Sequence, residues 1–136
     1  MIVLDSSFLI AFHNERDSQH EAARGLMREF LDGRWGKGLL PEYVFLEVVT
    51  VLLVRRDLAT AVQTGRLLLE AQELEFVPCA DVFLDAVHLF SSQKNTSLSF
   101  ADAAIAVIAR TRADGQVLTF DAGFQKMKGL RPEPAK

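Results

Sequence analysis

The sequence predicts an α/β domain of three layers, in which a central, mostly parallel sheet of four to five strands is covered by helices on both faces. Short apolar stretches typical of buried strands alternate with longer stretches of helical periodicity, which is the pattern of βα units. The chain has 136 residues, 49% of them hydrophobic and 24% charged, so we expect one domain, residues 1–136, with a genuine core. Two of the predicted strands end on an aspartate, a residue that strands disfavour.

Four strands are predicted from short apolar runs, at residues 2–4, 36–40, 76–77 and 116–120. Such runs lack a polar face, which is typical of parallel strands that are buried on both sides. Residues 129–136 include two prolines, so we expect a weak edge strand there, followed by a weakly ordered tail.

Helical periodicity predicts a short helical turn at 7–12 and longer helices at 17–31, 41–56, 58–73, 81–91 and 99–112. Pro41 stands where a helix favours its first residue, and helix 41–56 is apolar nearly all round, so we expect it to be buried. The polar residues 91–97 predict a loop, and Asp114-Gly115 predicts a turn.

The formal net charge of −3 argues against a domain that coats nucleic acid by bulk attraction. It does not exclude a nuclease, because arginines can rim an acidic site. Seven are spread widely enough either for such a rim or for an ordinary solvated surface: Arg16, Arg24, Arg28, Arg55, Arg56, Arg110 and Arg112.

The sequence also favours a cytoplasmic location. No apolar run approaches the roughly 20 residues of a membrane span, and the N-terminus lacks the basic region of a signal peptide. The lone Cys79 cannot form an intramolecular disulfide and suits a reducing compartment.

The two aspartates that end strands are Asp5, after strand 2–4, and Asp121, after strand 116–120. Because the carboxyl ends of parallel strands share one edge of a sheet, and α/β domains bind ligands there, both residues are candidates for a shared site. Each also has a structural alternative. Asp5 could cap the helix that follows, and Asp121 could form an Asx turn.

Two further acidic residues, Glu47 and Asp102, lie within predicted helices. The residues three and four positions away from each are mostly apolar and include no cation, so we expect both side chains to face inward. The alternatives are that Glu47 reaches solvent from the edge of its helix, and that Asp102 forms a capping box with Ser99.

Four carboxylates held together would need a cation, because two of them about 4 Å apart repel by roughly 4 kcal/mol at an effective dielectric constant of about 20. Oxygen ligands select a hard ion such as Mg²⁺ or Mn²⁺ over zinc. The three histidines lack the spacing or the cysteine partners of a zinc site. The sequence therefore indicates a hard-metal site built from Asp5, Glu47, Asp102 and Asp121.

Four features carry a family resemblance: IVLDSS at 2–7, the helical Glu47 ahead of a leucine-rich stretch, SFADA at 99–103 and LTFDAGF at 118–124. Their order and spacing resemble PIN-domain ribonucleases and, among these, the VapC-type toxins of prokaryotic toxin–antitoxin pairs. The likeness covers nearly the whole chain, and His20 and the Thr119-x-Asp121-x-x-Phe124 pattern also suit it.

This resemblance implies a PIN-like fold and an endoribonuclease that hydrolyses RNA phosphodiester bonds with Mg²⁺ or Mn²⁺. The four acidic residues would form the metal pocket, and Ser6 and Thr119 would orient it. A protein antitoxin and a homodimer are the implied partners, besides RNA. Some relatives carry another acidic residue where this chain has Gly123, so the number of metal ions stays open.

Two other classes of α/β protein also carry an aspartate after the first strand or acidic residues near it. A haloacid-dehalogenase-type phosphatase would need a second aspartate where this chain has Ser7, and a receiver domain would need paired acids near the first strand. A catalytically silent PIN-like scaffold that binds RNA or protein remains the alternative to an enzyme. Apolar residues that could border an antitoxin groove, or could instead belong to the core, are Leu9, Phe12, Leu52, Leu53 and Leu58.

Overall fold

Five parallel strands form the central sheet of the computed structural model, which describes residues 1–135. The strands are β1 Ile2–Leu4, β2 Gly38–Pro41, β3 Leu74–Val77, β4 Gln116–Leu118 and β5 Arg131–Glu133. Their order in the sheet is β3-β2-β1-β4-β5, so β1 lies at the centre. The chain winds outward on one side of β1 and then on the other, and the topological switch point therefore lies between β1 and β4.

Six helices cover the sheet, and their bounds are close to the predicted ones. They are α1 Ser6–His13, α2 His20–Leu31, α3 Glu42–Arg55, α4 Leu58–Glu70, α5 Phe83–Ser91 and α6 Phe100–Arg112. Short 3-10 turns occupy Ala80–Val82 and Ala122–Lys126. No helix within residues 1–135 has both the length and the apolar character needed to cross a membrane.

Several predicted boundaries move for identifiable reasons. The helix predicted to begin at residue 17 begins at His20, because the Asp17 carboxylate accepts a hydrogen bond from the Gln19 backbone N–H and forms a turn. Pro41 is not the first residue of α3 as predicted. With φ −65° and ψ 146° it ends β2 and occupies the N-cap position, and Glu42 begins the helix.

The expectation that the helix predicted at 41–56 is buried all round is wrong. Only one stripe of α3, formed by Val44, Val48 and Leu52, is buried. Leu46 and Val54 are 61% and 78% exposed. The sheet and the neighbouring helices cover this stripe alone, which leaves a broad apolar surface on α3.

The predicted edge strand is present as β5, which pairs with β4 beginning at Gln116 and Arg131. The backbone N–H of Thr119 donates to the Glu133 carbonyl at 2.9 Å and extends this pairing. Of the tail predicted to be weakly ordered, Lys136 lies outside the described residues.

Candidate active site

The carboxyl ends of β1 and β4 lie side by side, and the backbone N–H of Asp5 donates to the Leu118 carbonyl at 3.0 Å. A pocket of about 430 Å³ opens at this edge of the sheet. All four predicted acidic residues line it: Asp5, Glu47, Asp102 and Asp121. The topology thus brings together carboxylates that are up to 116 positions apart in the chain, and we refer to this cavity as the acidic pocket.

Asp5 is buried, with 2% of its surface exposed. It occupies the N-cap position of α1, yet its side chain makes no capping hydrogen bond. Its Oδ2 atom instead accepts hydrogen bonds from Ser7 Oγ and Thr119 Oγ1, each at 2.7 Å. The cap alternative for Asp5 is therefore wrong.

The two hydroxyls that hold Asp5 are themselves fixed by the backbone that follows β4. Ser7 Oγ accepts from the Phe120 N–H at 3.0 Å, and Thr119 Oγ1 accepts from the Asp121 N–H at 2.9 Å. Phe120 therefore bonds to Ser7 rather than extending β4 to residue 120 as predicted. Since each hydroxyl donates its one proton to Asp5, the 3.2 Å contact between them is not a further donation.

The side chain of Glu47 is oriented by a hydrogen bond from a residue of α1. Its Oε1 atom accepts a hydrogen bond from Ser6 Oγ at 2.7 Å, which uses the Ser6 proton and leaves the 3.5 Å contact between Ser6 Oγ and Asp5 Oδ1 unfilled. The expectation that Glu47 faces inward is wrong: the residue is exposed, because it lies at the open rim of the acidic pocket.

Asp102 and Asp121 fulfil their structural alternatives and still line the pocket. Asp102 Oδ2 accepts from the Ser99 N–H at 3.1 Å in a complete capping box at the start of α6. Asp121 Oδ1 accepts from the Gly123 N–H at 2.8 Å in an Asx turn. Asp102 is half-buried and Asp121 is exposed.

One arrangement is common to all four side chains. Each carboxylate is oriented through short hydrogen bonds to one oxygen, and the other oxygen has none within residues 1–135 apart from the 3.5 Å contact between Ser6 Oγ and Asp5 Oδ1. The four oxygens that accept no short hydrogen bond are Asp5 Oδ1, Glu47 Oε2, Asp102 Oδ1 and Asp121 Oδ2. Capping and ligand binding therefore do not compete, because a carboxylate has an oxygen for each.

Burial and mutual repulsion raise the pKa values of two of the acids. Burial raises the pKa of Asp5 to about 6, the hydrogen bonds from Ser7 and Thr119 oppose this rise, and the charge of Asp102 adds to it. Burial also raises the pKa of Asp102, and the charges of Asp121 and Glu47 raise it further. A cation in the acidic pocket would relieve this repulsion.

A family model described as the PIN domain matches residues 2–130. The chain belongs to the PIN domain family. Among solved structures, VapC20 of Mycobacterium tuberculosis, described as a Sarcin-Ricin loop cleaving toxin, is similar with a TM-score of 0.83 and 22% identity over 92% of this chain and 93% of that one.

A second similar structure is VapBC2 of Rickettsia felis, described as bound to a DNA fragment from its promoter. It has a TM-score of 0.68 and 17% identity, and the match covers 98% of each chain. At these identities the two likenesses show the fold, which is the predicted PIN-like one. No curated protein sequence matches the chain significantly.

The acidic pocket of this PIN domain has the donor chemistry of a hard-metal site but is not a preassembled one. Among residues 1–135, no three acidic, histidine or cysteine side chains converge closely enough to form a ready-made metal cluster. The residues nevertheless fit a hydrated ion. Mg²⁺ usually keeps several waters and takes only one or two protein carboxylates directly, and four oriented oxygens are available here.

Two residues of the acidic pocket were not specifically predicted from the sequence. Ser7 was not predicted to contact the site, although its position two residues after Asp5 and its small polar side chain were available as a signal. Of the seven arginines, Arg55 lines the acidic pocket. Two others are paired elsewhere, Arg24 with Glu21 and Arg112 with Glu75.

The residues predicted to border a groove for a protein antitoxin do not lie on one surface. Leu52 is fully buried in the core. Leu9 is also buried, but together with Phe12 it lines an apolar cavity of about 390 Å³ beside α1, α2 and α4. Leu53 and Leu58 are 48% and 65% exposed, and they line an apolar groove between α3 and α4.

Proposed function

We propose that this PIN domain is a metal-dependent endoribonuclease that hydrolyses RNA phosphodiester bonds, and that it is the toxin of a toxin–antitoxin pair acting in the cytoplasm. The observation that carries the enzyme proposal is the set of four carboxylates that line one pocket and are each oriented through one oxygen. Membership of the PIN family and the fold shared with VapC20, which is described as a Sarcin-Ricin loop cleaving toxin, support it.

In this proposal, the residues that hold Mg²⁺ or Mn²⁺ are Asp5, Glu47, Asp102 and Asp121. A bound divalent ion would supply a lowered pKa for an attacking water and charge neutralisation at the phosphate. Ser6, Ser7 and Thr119 fix the rotamers of Asp5 and Glu47, so that little reorganisation is needed when substrate arrives.

Two groups of the chain would act on the substrate directly. Asp121 is exposed and its Oδ2 is unoccupied, so it is placed to orient a water or to accept its proton. Arg55 lines the acidic pocket and would attract a phosphate of the RNA strand toward the carboxylates.

The partner proposals rest on the surface. Exposed apolar side chains on α3 and α4, namely Leu46, Leu53, Val54, Leu58 and Val62, form an area that soluble monomers seldom leave open. We propose that a protein antitoxin and a second copy of this chain cover parts of it. The second similar structure is described as VapBC2, which supports the antitoxin proposal.

The test of the enzyme proposal is cleavage of a labelled single-stranded RNA by purified protein in EDTA and after Mg²⁺ or Mn²⁺ is restored. We expect cleavage that depends on the metal and is lost in Asp5→Asn. Undiminished cleavage in excess EDTA would refute the mechanism.

One observation favours the second candidate, a catalytically silent RNA- or protein-binding module: no three side chains among residues 1–135 form a ready-made metal cluster. The same assay distinguishes the two. A silent module would bind the RNA and leave it intact with either metal.

A further inference from the structure

A second cavity of about 350 Å³ adjoins the acidic pocket and shares Asp102 and Asp121 with it. Its other lining residues are Asn95, Thr96, Ser97, Leu98, Gly123 and Lys126. We refer to this cavity as the side pocket. Its volume lies within the range of small-ligand sites, and most of its lining residues are polar or charged.

The polar wall of the side pocket is the loop between α5 and α6, and one residue gives it a defined shape. Gln93 Nε2 donates to the carbonyls of Phe90 at 3.1 Å and Leu98 at 3.0 Å. Gln93 Oε1 accepts from the Leu98 N–H at 2.7 Å and from Thr96 Oγ1 at 2.8 Å. Because the hydrogen-bonding capacity of this amide is fully used, the loop presents its remaining side chains in fixed positions.

Those side chains are free to bind something else. The Asn95 amide and the Ser97 hydroxyl make no hydrogen bond within residues 1–135, and Lys126 makes no ion pair there. Among the described lining residues, Lys126 is the one cation beside two carboxylates. An amide and a hydroxyl match the edge of a base, and a lysine matches a phosphate.

We propose that the side pocket binds the nucleotide adjacent to the scissile phosphate, with Lys126 contacting its phosphate and Asn95 and Ser97 reading the edge of its base. The inference rests on the proposed function: the two cavities share Asp102 and Asp121, so the side pocket is adjacent to the site where the RNA strand would be cut. A phosphate beside Asp102 and Asp121 would be repelled unless a cation accompanied it, and Lys126 supplies that charge.

The phosphate contact is tested by RNA binding without chemistry. Fluorescence anisotropy with a short single-stranded RNA in EDTA compares Lys126→Ala with Lys128→Ala. Both residues are exposed and both variants lose one positive charge, but Lys128 does not line the side pocket. We expect Lys126→Ala to weaken binding about fivefold and to reduce the slope of log affinity against log salt by about 0.7, while Lys128→Ala stays near wild type.

The base contact is tested by the sequence preference of cleavage. A pool of RNAs randomised around the cut is digested by wild type, Ser97→Ala and Asn95→Gly. Glycine is chosen at 95 because Asn95 has φ +61°, which alanine would strain. Ser91→Ala, an exposed serine that does not line the pocket, is the control. We expect the two variants, and not the control, to relax the preference at one position next to the cut.

The two lines of evidence separate this inference from the proposed function. Metal-dependent cleavage by the wild-type chain tests the proposed function alone. If that cleavage is present while Lys126→Ala binds RNA as Lys128→Ala does and all variants keep the wild-type preference, the side pocket does not hold a nucleotide. Binding weakened about fivefold in Lys126→Ala, together with a relaxed preference in Ser97→Ala and Asn95→Gly, supports it.

Discussion

The two ends of helix α1 each hold a titratable side chain away from water, and they do so in opposite ways. Asp5, just before the helix, is buried away from water, but its carboxylate accepts hydrogen bonds from the hydroxyls of Ser7 and Thr119. His13, the last residue of the helix, lies at a cavity of about 390 Å³ that is lined mainly by apolar side chains, besides the exposed Glu70 and Glu73. The same eight-residue helix therefore has one end that tolerates a charge and one that excludes it.

The pKa values show which effect dominates at each end. Burial raises the pKa of Asp5 to about 6, so the carboxylate is still ionised near pH 7. Burial lowers the pKa of His13 to about 4, although a helix C-terminus favours a cation. Desolvation outweighs the helix dipole where no donor or acceptor replaces water. Burial is also the larger effect on the pKa of Asp5, but there the hydroxyl donors of Ser7 and Thr119 oppose it, so the Asp5 end can still carry a charge near pH 7.

The largest effect is expected from Glu47→Gln, which should lower RNA cleavage on the order of 100-fold. Glutamine keeps the bond from Ser6 Oγ to the side-chain oxygen but removes the charge and replaces the free oxygen by an amide. Glu42→Gln is the matched control, because Glu42 lies in the first turn of the same helix and its Oε1 accepts from the Cys79 N–H, which glutamine can still do. A larger loss in the Glu42 variant would show that the wrong acid has been assigned.

The second-largest effect is expected from removing one of the hydroxyl groups that donate hydrogen bonds to Asp5. Thr119→Val keeps the shape of a buried side chain but removes both of its hydrogen bonds, to Asp5 Oδ2 and from the Asp121 N–H. We expect a loss of about 1.5–3 kcal/mol in the free energy of unfolding, measured by urea denaturation, because the buried carboxylate of Asp5 loses one of its two hydroxyl donors and the Asp121 N–H loses its acceptor. Thr111→Val, at an exposed position of α6, should be nearly neutral, and equal losses in the two variants would contradict this account.

Much of this arrangement could be predicted from the sequence, because it depends on chain order and local pattern. Asp5 and Asp121 follow strands, parallel strands align their carboxyl ends, and this is sufficient to expect the two residues at one edge. The strand order that places the switch point between β1 and β4 depends on packing between distant segments. It could not be read from periodicity.

Other features could not be predicted, because a sequence pattern identifies a residue but does not show what each of its two carboxylate oxygens contacts. The capping box of Asp102 and the Asx turn of Asp121 looked like alternatives to a ligand role, and both occur alongside exposure to the pocket. The apolar composition of helix 41–56 predicted burial, but only the stripe of Val44, Val48 and Leu52 has neighbours to cover it. Composition cannot distinguish a core face from a surface that awaits a partner.

The third prediction separates a ligand role for Asp5 from a purely structural one. Above pH 6, the ionised Asp5 carries a cost of burial, so Asp5→Asn should raise the free energy of unfolding in EDTA by about 1–2 kcal/mol. Asparagine can still accept the hydrogen bonds from Ser7 and Thr119. Saturating Mg²⁺ should stabilise wild type by mass action and the variant much less, so thermal melting curves should converge or cross as metal is added.

The control for this prediction is Asp57→Asn. Asp57 is a genuine N-cap, whose side chain accepts from the Thr60 N–H at 2.7 Å, and asparagine caps a helix about as well. It should shift neither the melting temperature nor its response to Mg²⁺. Equal metal-induced shifts in wild type and Asp5→Asn would mean that Asp5 does not hold the ion.

The smallest effect is expected at the other end of α1. Because the pKa of His13 in the folded chain is about 4, below the unfolded value of 6.5, its contribution to stability is fully present above pH 6.5 and is lost as the pH falls toward 4. The raised pKa of Asp5 changes the free energy of unfolding with the opposite sign as the pH falls through 6, so only a comparison of variants isolates the effect of the histidine.

Between pH 6.5 and 5, the free energy of unfolding of His13→Gln should fall by roughly 1 kcal/mol less than that of wild type, allowing for the part of the ring that water reaches. Urea denaturation of both proteins across this range measures the difference, with His88→Gln on the exposed face of α5 as the control. Parallel curves for wild type and His13→Gln would show that water enters the cavity and solvates the ring, and the contrast between the two ends of the helix would then disappear.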